Sequence, residues 1–215
     1  PSEIIDDITE NYIPELLSRY PGIEYGLEGA SLEELEFVGN IKVASIAAMF
    51  LIYALIAIPL RSYVQPLIIM SVIPFGMIGA VSGHIIMGKA LSMFSLFGLI
   101  ALAGVVVNDS LILIDFINKQ RQKGVDRYEA VVRSGKERFR PIVLTSLTTA
   151  AGLMPIMLET SLQAQFVIPM AISLSFGILF ATVITLFLIP SLYLLQQDFG
   201  RGLADLKNVL LGRTR

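Results

Sequence analysis

The sequence predicts a mostly α-helical, polytopic membrane bundle of five transmembrane helices, preceded by a small α/β segment. Of the 215 residues, 54% are hydrophobic, and the mean hydropathy of +0.72 is well above that of a soluble globular protein. Five apolar segments approach or exceed the roughly 20 residues needed to cross a bilayer core. They cover residues of about 38–60, 65–87, 91–118, 141–159 and 165–196.

The segment 1–37 has a different character, with ten acidic residues and one base. Residues 2–19 show helical spacing of apolar positions, and Pro14 is expected to kink or split that helix. Residues 23–27 alternate like a short strand, which needs partners from sequence beyond this chain or from another subunit. The chain starts in the middle of a secondary-structure element, with the residues PSEI, and it has no initiator Met. We therefore expect it to be a fragment of a longer protein.

The third span carries polar groups near its centre, at Asn108 and Asp109. A charged side chain at the bilayer centre costs about 2.5–3.5 kcal/mol on insertion scales, so Asp109 should face other helices or a water-filled path. Gly104 shares helical spacing with this pair and is expected to let a neighbouring helix approach closely. Two interpretations stay open: a helix-packing hydrogen bond, or a group that takes part in proton or ion movement.

Other polar positions in the spans have simpler explanations. The hydroxyls of the fourth span, Thr145, Ser146, Thr148 and Thr149, are expected mostly to bond their own helix carbonyls or an adjacent helix. His84, at the end of the second span, fits an interfacial histidine near Lys89 better than a proton relay. In the same span, small residues form one face for close helix packing: Gly76, Gly79, Ala80 and Gly83.

The distribution of bases predicts the orientation. Residues 117–140 hold eight bases and three acids, so the loop 119–140 is predicted to be cytoplasmic by the positive-inside rule. By parity the tail 198–215 lies on the same side and residues 1–37 on the other. Asp126 and Glu129 form a capping pattern for a short amphipathic helix over about 127–137.

Several function classes are disfavoured by composition. The chain has no cysteine and one histidine, so it has neither a disulfide nor a conventional structural zinc site, and no metal or cofactor is expected. No nucleophile, base and orienting acid occur together, so an enzyme is not expected. The bases are explained by orientation and solvation, and nucleic-acid binding is not expected.

Four blocks, in this order, resemble one family: residues 57–66 (AIPLRSYVQP), 73–80 (IPFGMIGA), 104–116 (GVVVNDSLILIDF) and 138–148 (RFRPIVLTSLT). The chain resembles the C-terminal part of an inner-membrane RND (resistance–nodulation–division) efflux pump of the hydrophobe/amphiphile multidrug branch. The resemblance implies that residues 1–37 close a periplasmic porter domain and that 38–197 hold helices eight to twelve of twelve. It also implies a homotrimer that works with a periplasmic adaptor protein and an outer-membrane channel.

The resemblance further implies export of amphiphilic compounds driven by inward proton flow. The main carboxylate pair of the family lies on a helix that this chain lacks, and the helix with Asn108 and Asp109 faces it. Many multidrug members have a lysine at the position of Asn108, so here Asn108 or Asp109 is expected to hydrogen-bond to that pair instead. Arg138 and Thr145 match relay positions, although Arg138 also fits a snorkelling interfacial base.

Seven residues separate Arg138 from Thr145, about two helical turns, so both can face one way. The sequence therefore predicts a proton relay of Asp109, Asn108, Thr145 and Arg138, with Leu113 facing the surface as an unrelated position. The alternative function is a non-transporting membrane scaffold or sensor with the same helical bundle.

Overall fold

The computed structural model describes the backbone of residues 7–20 and 30–210, and their side chains except those of residues 9, 30–38 and 199–210. Contacts divide the chain into two compact units, 1–48 and 49–215. A π-helical segment spans Ile8–Tyr12. The α-helices are α1 (Ile13–Arg19), α2 (Ala30–Leu60), α3 (Gln65–Met70), α4 (Ile73–Met87), α5 (Met93–Gln122), α6 (Arg127–Met157) and α7 (Leu162–Leu210).

In the first unit, Pro14 divides the amphipathic segment as predicted. It lies in the first turn of α1, where its missing N–H costs nothing, and the preceding turn is π-helical. The predicted strand over 23–27 lies outside the described residues, so the α/β character of the N-terminal segment stays a prediction.

Five helical segments of the described chain are long and apolar enough to cross a membrane, which confirms the predicted number of spans. They are Gly39–Leu60, Gln65–Met87, Met93–Gln122, Arg127–Met157 and Leu162–Asp198. The second comprises α3 and α4, which are separated by a turn at Ser71 and Val72. Pro74 explains this break, since it lies in the first turn of α4 and has no N–H to continue a helix from α3.

The region predicted as the loop 119–140 is almost entirely helical. Helix α5 extends to Gln122, and α6 begins at Arg127 after a short turn that contains Gly124 at φ +83°. Asp126 caps α6 as predicted, because its carboxylate accepts the N–H of Tyr128 at 3.0 Å. The prediction of a separate helix that ends near residue 137 was wrong. Helix α6 continues through Pro141 into the fourth span, since one missing backbone hydrogen bond does not end a long helix.

The core forms where α4 and α5 pack against α7. A Cβ at Gly79 would lie 2.8 Å from the Phe176 carbonyl oxygen, and one at Gly98 would lie 2.6 Å from that of Met170. Such contacts require glycine, so the predicted small-residue face of α4 is confirmed as a helix-packing surface. Gly104 is different: apart from the adjacent turns of its own helix, nothing in the described chain lies within 4 Å of where its Cβ would be.

Polar contacts join the helix ends. The side-chain amides of Gln65 and Asn118 bond each other reciprocally at 3.2 and 2.9 Å, and the Tyr193 hydroxyl donates to Asn118 at 3.0 Å. Arg127 pairs with Asp198 at the same end of the bundle. At the other end, the Lys89 ammonium donates to the Gln165 side chain at 3.2 Å. This bond joins the connection between α4 and α5 to the first turn of α7.

Candidate functional site

A cavity of about 300 Å³ lies between α5 and α6, and all four predicted relay residues line it. Asn108 and Asp109 come from the middle of α5, and Arg138 and Thr145 from α6. Val105 and Ile112 line it from the same face of α5, which agrees with the helical spacing that grouped them in sequence. The remaining lining residues are Pro141, Ile142, Ser146 and Thr149.

Asp109 is buried, with 7% of its surface exposed, and its carboxyl group lines the cavity near the Ser146 hydroxyl of α6. The Ser146 oxygen lies 2.6 Å from the hydroxyl oxygen of Thr182 on α7. Ser146 and Thr182 are both buried. Within an apolar interior, a carboxyl group on α5 therefore lies near an α6 hydroxyl, which in turn contacts a hydroxyl of α7.

The hydrogen bonds of Ser146 depend on where its one proton points. Its hydroxyl donates to the Ile142 carbonyl oxygen at 2.9 Å, and in that orientation the short contact with Thr182 requires Thr182 to donate. An ionised Asp109 only accepts, so it competes with Ile142 for the Ser146 proton. A protonated Asp109 can instead donate to the Ser146 oxygen. A hydrogen bond between these two groups would therefore run in opposite directions in the two states of the carboxyl group.

Asn108 and Thr145 lie at the open side of the cavity, and both are exposed in this chain. The Thr145 hydroxyl bonds the carbonyls of Pro141 and Ile142, at 3.1 and 2.9 Å on its own helix, as expected for most hydroxyls of this span. The Asn108 amide has no hydrogen-bond partner among the described residues. Asn108 is therefore available to a group outside the described chain.

Arg138 lies at the end of the cavity and does not form an ion pair with Asp109. Its guanidinium carbon lies 4.9 Å from the centre of the Phe116 ring, which is a cation–π contact, and Phe116 also belongs to α5. Its Nε atom is buried without an acceptor among the described residues. The arginine is thus partly desolvated and retains unused donor capacity.

The structure adds Ser146 and Thr182, which the predicted relay did not include. The sequence placed Ser146 among four similar hydroxyls, and only the packing distinguishes the one that faces α7. The prediction for Leu113 was wrong: the residue is fully buried, with 0% exposure. It lies four residues after Asp109 and hence on the same, inward face of α5, a spacing that was readable from the sequence.

His84 is buried between α4 and α5, and its ring does not bond Lys89, whose backbone N–H donates to the His84 carbonyl oxygen at 3.1 Å. Its Nδ1 lies 3.0 Å from the Ala80 carbonyl oxygen and its Nε2 lies 2.9 Å from the Ser95 hydroxyl. Because a carbonyl only accepts, Nδ1 carries a proton, and a neutral ring then accepts the Ser95 proton at Nε2. The histidine therefore fastens α4 to the start of α5, remote from the cavity of Asp109.

Comparisons with known proteins agree with the order of these elements. The model of the AcrB/AcrD/AcrF family matches residues 5–197. Two crystal forms of a heavy metal efflux pump are similar in structure. Form II has 28% sequence identity to this chain and a TM-score of 0.72, and the match covers 86% of this chain. Form I has 27% sequence identity and a TM-score of 0.68, and the match covers 87% of this chain. The chain spans 19% of the length of each, about a fifth of those proteins.

Proposed function

Because the chain belongs to the AcrB/AcrD/AcrF family of RND permeases, we propose that it forms the proton-coupling part of an exporter in the inner membrane and not an enzyme. The observation that carries this proposal is the buried Asp109 carboxyl group, which lines a cavity near the Ser146 hydroxyl, and Ser146 contacts Thr182 of α7. A carboxyl group used only for packing needs no cavity beside it.

The proposed mechanism uses the competition for the Ser146 proton. When Asp109 is ionised, Ser146 turns its proton toward the carboxylate, while Thr182 continues to donate to the Ser146 oxygen. When Asp109 takes up a proton from the cavity, Ser146 returns to the carbonyl oxygen of Ile142. Each uptake and release thereby reverses the hydrogen bond between Asp109 of α5 and Ser146 of α6, while Ser146 accepts from Thr182 of α7 in both states. One charge moved through 100 mV yields about 2.3 kcal/mol, enough to bias such a two-state contact.

Arg138 and Asn108 have supporting roles in this proposal. The unused donors of Arg138 at the end of the cavity favour an anionic group or water there, which connects Asp109 to the basic end of the bundle. Asn108 offers its amide to a partner beyond the described residues. Thr145 contributes its hydroxyl to the wall of the cavity, and water replaces it more easily than it replaces the buried Ser146.

The proposed orientation places the turn between α5 and α6 on the cytoplasmic side, together with the bases of 119–140, and residues 1–37 in the periplasm. The ion pair of Arg127 with Asp198 supports a common side for that turn and the end of the fifth span. The multi-pass chain then works in a homotrimer with a periplasmic adaptor and an outer-membrane channel, as the RND resemblance implies.

Two substrate classes follow from different observations. The four sequence blocks favour amphiphilic compounds, whereas the solved structures that the chain resembles are of a heavy metal efflux pump. Among the described residues no group of three or more His, Asp or Glu side chains could hold a metal ion. We propose the amphiphilic class and treat heavy-metal export as the competing outcome of the same assay.

The test uses the transporter expressed from its complete gene in proteoliposomes with an imposed pH gradient. Asp109→Asn keeps the size of the side chain and removes its titration, so we expect normal folding and loss of proton-coupled efflux. Asp115→Asn is the matched control, because Asp115 is an exposed acid on the same helix, paired with Lys119 at 2.6 Å. An amphiphilic dye and a heavy-metal ion are assayed separately, with proton uptake followed in parallel.

The results separate the alternatives. Wild-type transport by both Asp109→Asn and Asn108→Ala would show that these residues only pack helices. Efflux of the metal ion but not of the dye would assign the other substrate class. Absence of any proton-linked transport by the wild type would favour a scaffold or sensor with the same bundle.

A further inference from the structure

A second cavity, of about 710 Å³, opens at the basic end of the bundle, where α2 ends, α3 begins and α5 ends. We call it the basic groove. It is lined by Arg61, Ser62, Gln65, Asn118, Lys119 and Arg121, among others. It is separate from the cavity of Asp109, and the proposed function makes no use of it.

The groove carries a net positive charge. Its lining includes three bases and one acid, Asp115, which pairs with Lys119. One nitrogen of Arg121 donates to the carbonyl oxygen of Val125 at 2.8 Å, and this bond holds the guanidinium in place, near the Asp126 carboxylate. The Arg61 guanidinium is exposed and has no acceptor among the described residues. Asp126 partly offsets the charge of Arg121, and Arg61 remains the groove base that has no ion pair among the described residues.

The backbone presents Arg61 in an unusual conformation. Its φ of +48° lies in the left-handed region, where glycine is favoured and a side chain is strained. The N–H of Arg61 is bonded to the Ile58 carbonyl oxygen at 3.3 Å, and the Tyr53 hydroxyl donates to the Tyr63 carbonyl oxygen at 3.1 Å, so both ends of this turn are fixed. A strained base without an acceptor suggests that its side chain, and not the turn alone, has a use.

A neutral donor lies beside this base. The Ser62 oxygen accepts the N–H groups of Val64 and Gln65, both at 3.3 Å. Its own proton is therefore free to be donated, and a phosphate oxygen is a suitable acceptor. Guanidinium groups bind phosphate with their planar forks, so Arg61, Arg121 and Ser62 together match that chemistry.

The position of the groove indicates where such a phosphate comes from. Its walls are the ends of three membrane spans, and the adjacent Tyr63 is 81% exposed, as is typical of aromatic residues at headgroup depth. Basic pockets between span ends suit anionic headgroups. The volume of the groove also exceeds what a free phosphate ion fills. We propose that the basic groove binds the headgroup of an anionic phospholipid.

The experiment measures lipid binding by the transporter expressed from its complete gene, in detergent, by native mass spectrometry. Phosphatidylglycerol and phosphatidylcholine with the same acyl chains are titrated, with and without excess inorganic phosphate. Arg61→Gln removes the charge and leaves the backbone strain, whereas Arg61→Gly removes both and keeps the turn foldable. Lys136→Gln is the control, because Lys136 is an exposed base of α6 that does not line the groove.

We expect both Arg61 variants to weaken phosphatidylglycerol binding about fivefold, and Lys136→Gln to leave it unchanged. Binding of phosphatidylcholine should be the same in the wild type and in all variants. Inorganic phosphate should not displace the lipid. Equal losses in the Arg61 and Lys136 variants would show a general surface field and overturn the proposal. Displacement by phosphate would assign a soluble anion instead. Wild-type binding by Arg61→Gly, or no preference for the anionic lipid, would also overturn it.

Discussion

The contact between Ser146 and Thr182 makes the relay of the candidate site measurable. In Ser146→Ala the Thr182 hydroxyl, 7% exposed, loses its partner at 2.6 Å. A buried polar group left without a bond costs about 1–3 kcal/mol. Thr182→Val removes the same bond from the other side and keeps the shape of the side chain. We therefore expect each single variant to be destabilised, and the double variant to lose less than the sum.

The double-mutant cycle compares the wild type, both single variants and the double variant. From the geometry we expect a coupling energy of about 0.5–1.5 kcal/mol in the stability of the purified transporter. Proton-coupled efflux should fall with Ser146→Ala even at equal protein levels, because Asp109 loses the nearby hydroxyl that the proposed relay uses. Thr145→Ala is the matched control, because Thr145 bonds only its own helix carbonyls.

Two results would refute this reasoning. A coupling energy near zero would mean that the hydroxyls of Ser146 and Thr182 do not depend on each other. A greater loss of efflux in Thr145→Ala than in Ser146→Ala would place the relay on the open side of the cavity, as the sequence alone suggested.

Three further predictions follow. Leu113→Ala should destabilise the protein by about 2–5 kcal/mol, because the Leu113 side chain is fully buried. Ile112→Ala, at the partly exposed neighbouring position, should destabilise it less, and thermal unfolding in detergent compares the two variants. Asp126→Ala should lower stability at neutral pH, because the N–H of Tyr128 holds the pKa of Asp126 below its usual 3.8. The stability that this bond contributes is present above pH 3.8 and is lost as the pH falls through the lower pKa of the folded state. The unfolding curves of the variant and the wild type should therefore converge in acid. A cysteine at Tyr128, which is 66% exposed, should react with an impermeant reagent only from the cytoplasmic side. Labelling from the periplasm in intact cells would reverse the proposed orientation.

The sequence predicted the spans well because the bilayer sets a length that apolar segments must reach. Predicted and observed bounds agree within a few residues for the first two spans, at Leu60, Gln65 and Met87. They agree less well where polar helices continue past the membrane, since α5 runs to Gln122 and α6 starts at Arg127. Charge marks a segment as lying outside the hydrocarbon, but it does not say whether that segment is helical.

The candidate site was predictable in its residue types and not in its bonds. The four predicted relay residues line one cavity because helical spacing fixes which side chains share a face. The choice between Thr145 and Ser146 depends on about 100° of rotation around α6, which a single apolar-rich sequence does not determine. Packing against α7 determines it, and Thr182 enters the path for the same reason.

The exposed side of the cavity indicates what the described chain lacks. The hydroxyls of Thr145, Thr148 and Thr149 are exposed, yet each bonds a carbonyl of its own helix and so tolerates lipid. The Asn108 amide has no such bond among the described residues, and at mid-span an unsatisfied amide facing lipid costs several kcal/mol. The Gly104 position, one turn away on the same face, also leaves room for a close neighbour. These two residues therefore define the face of α5 that requires another helix, and the matched structures, about five times as long as this chain, have further chain to supply one.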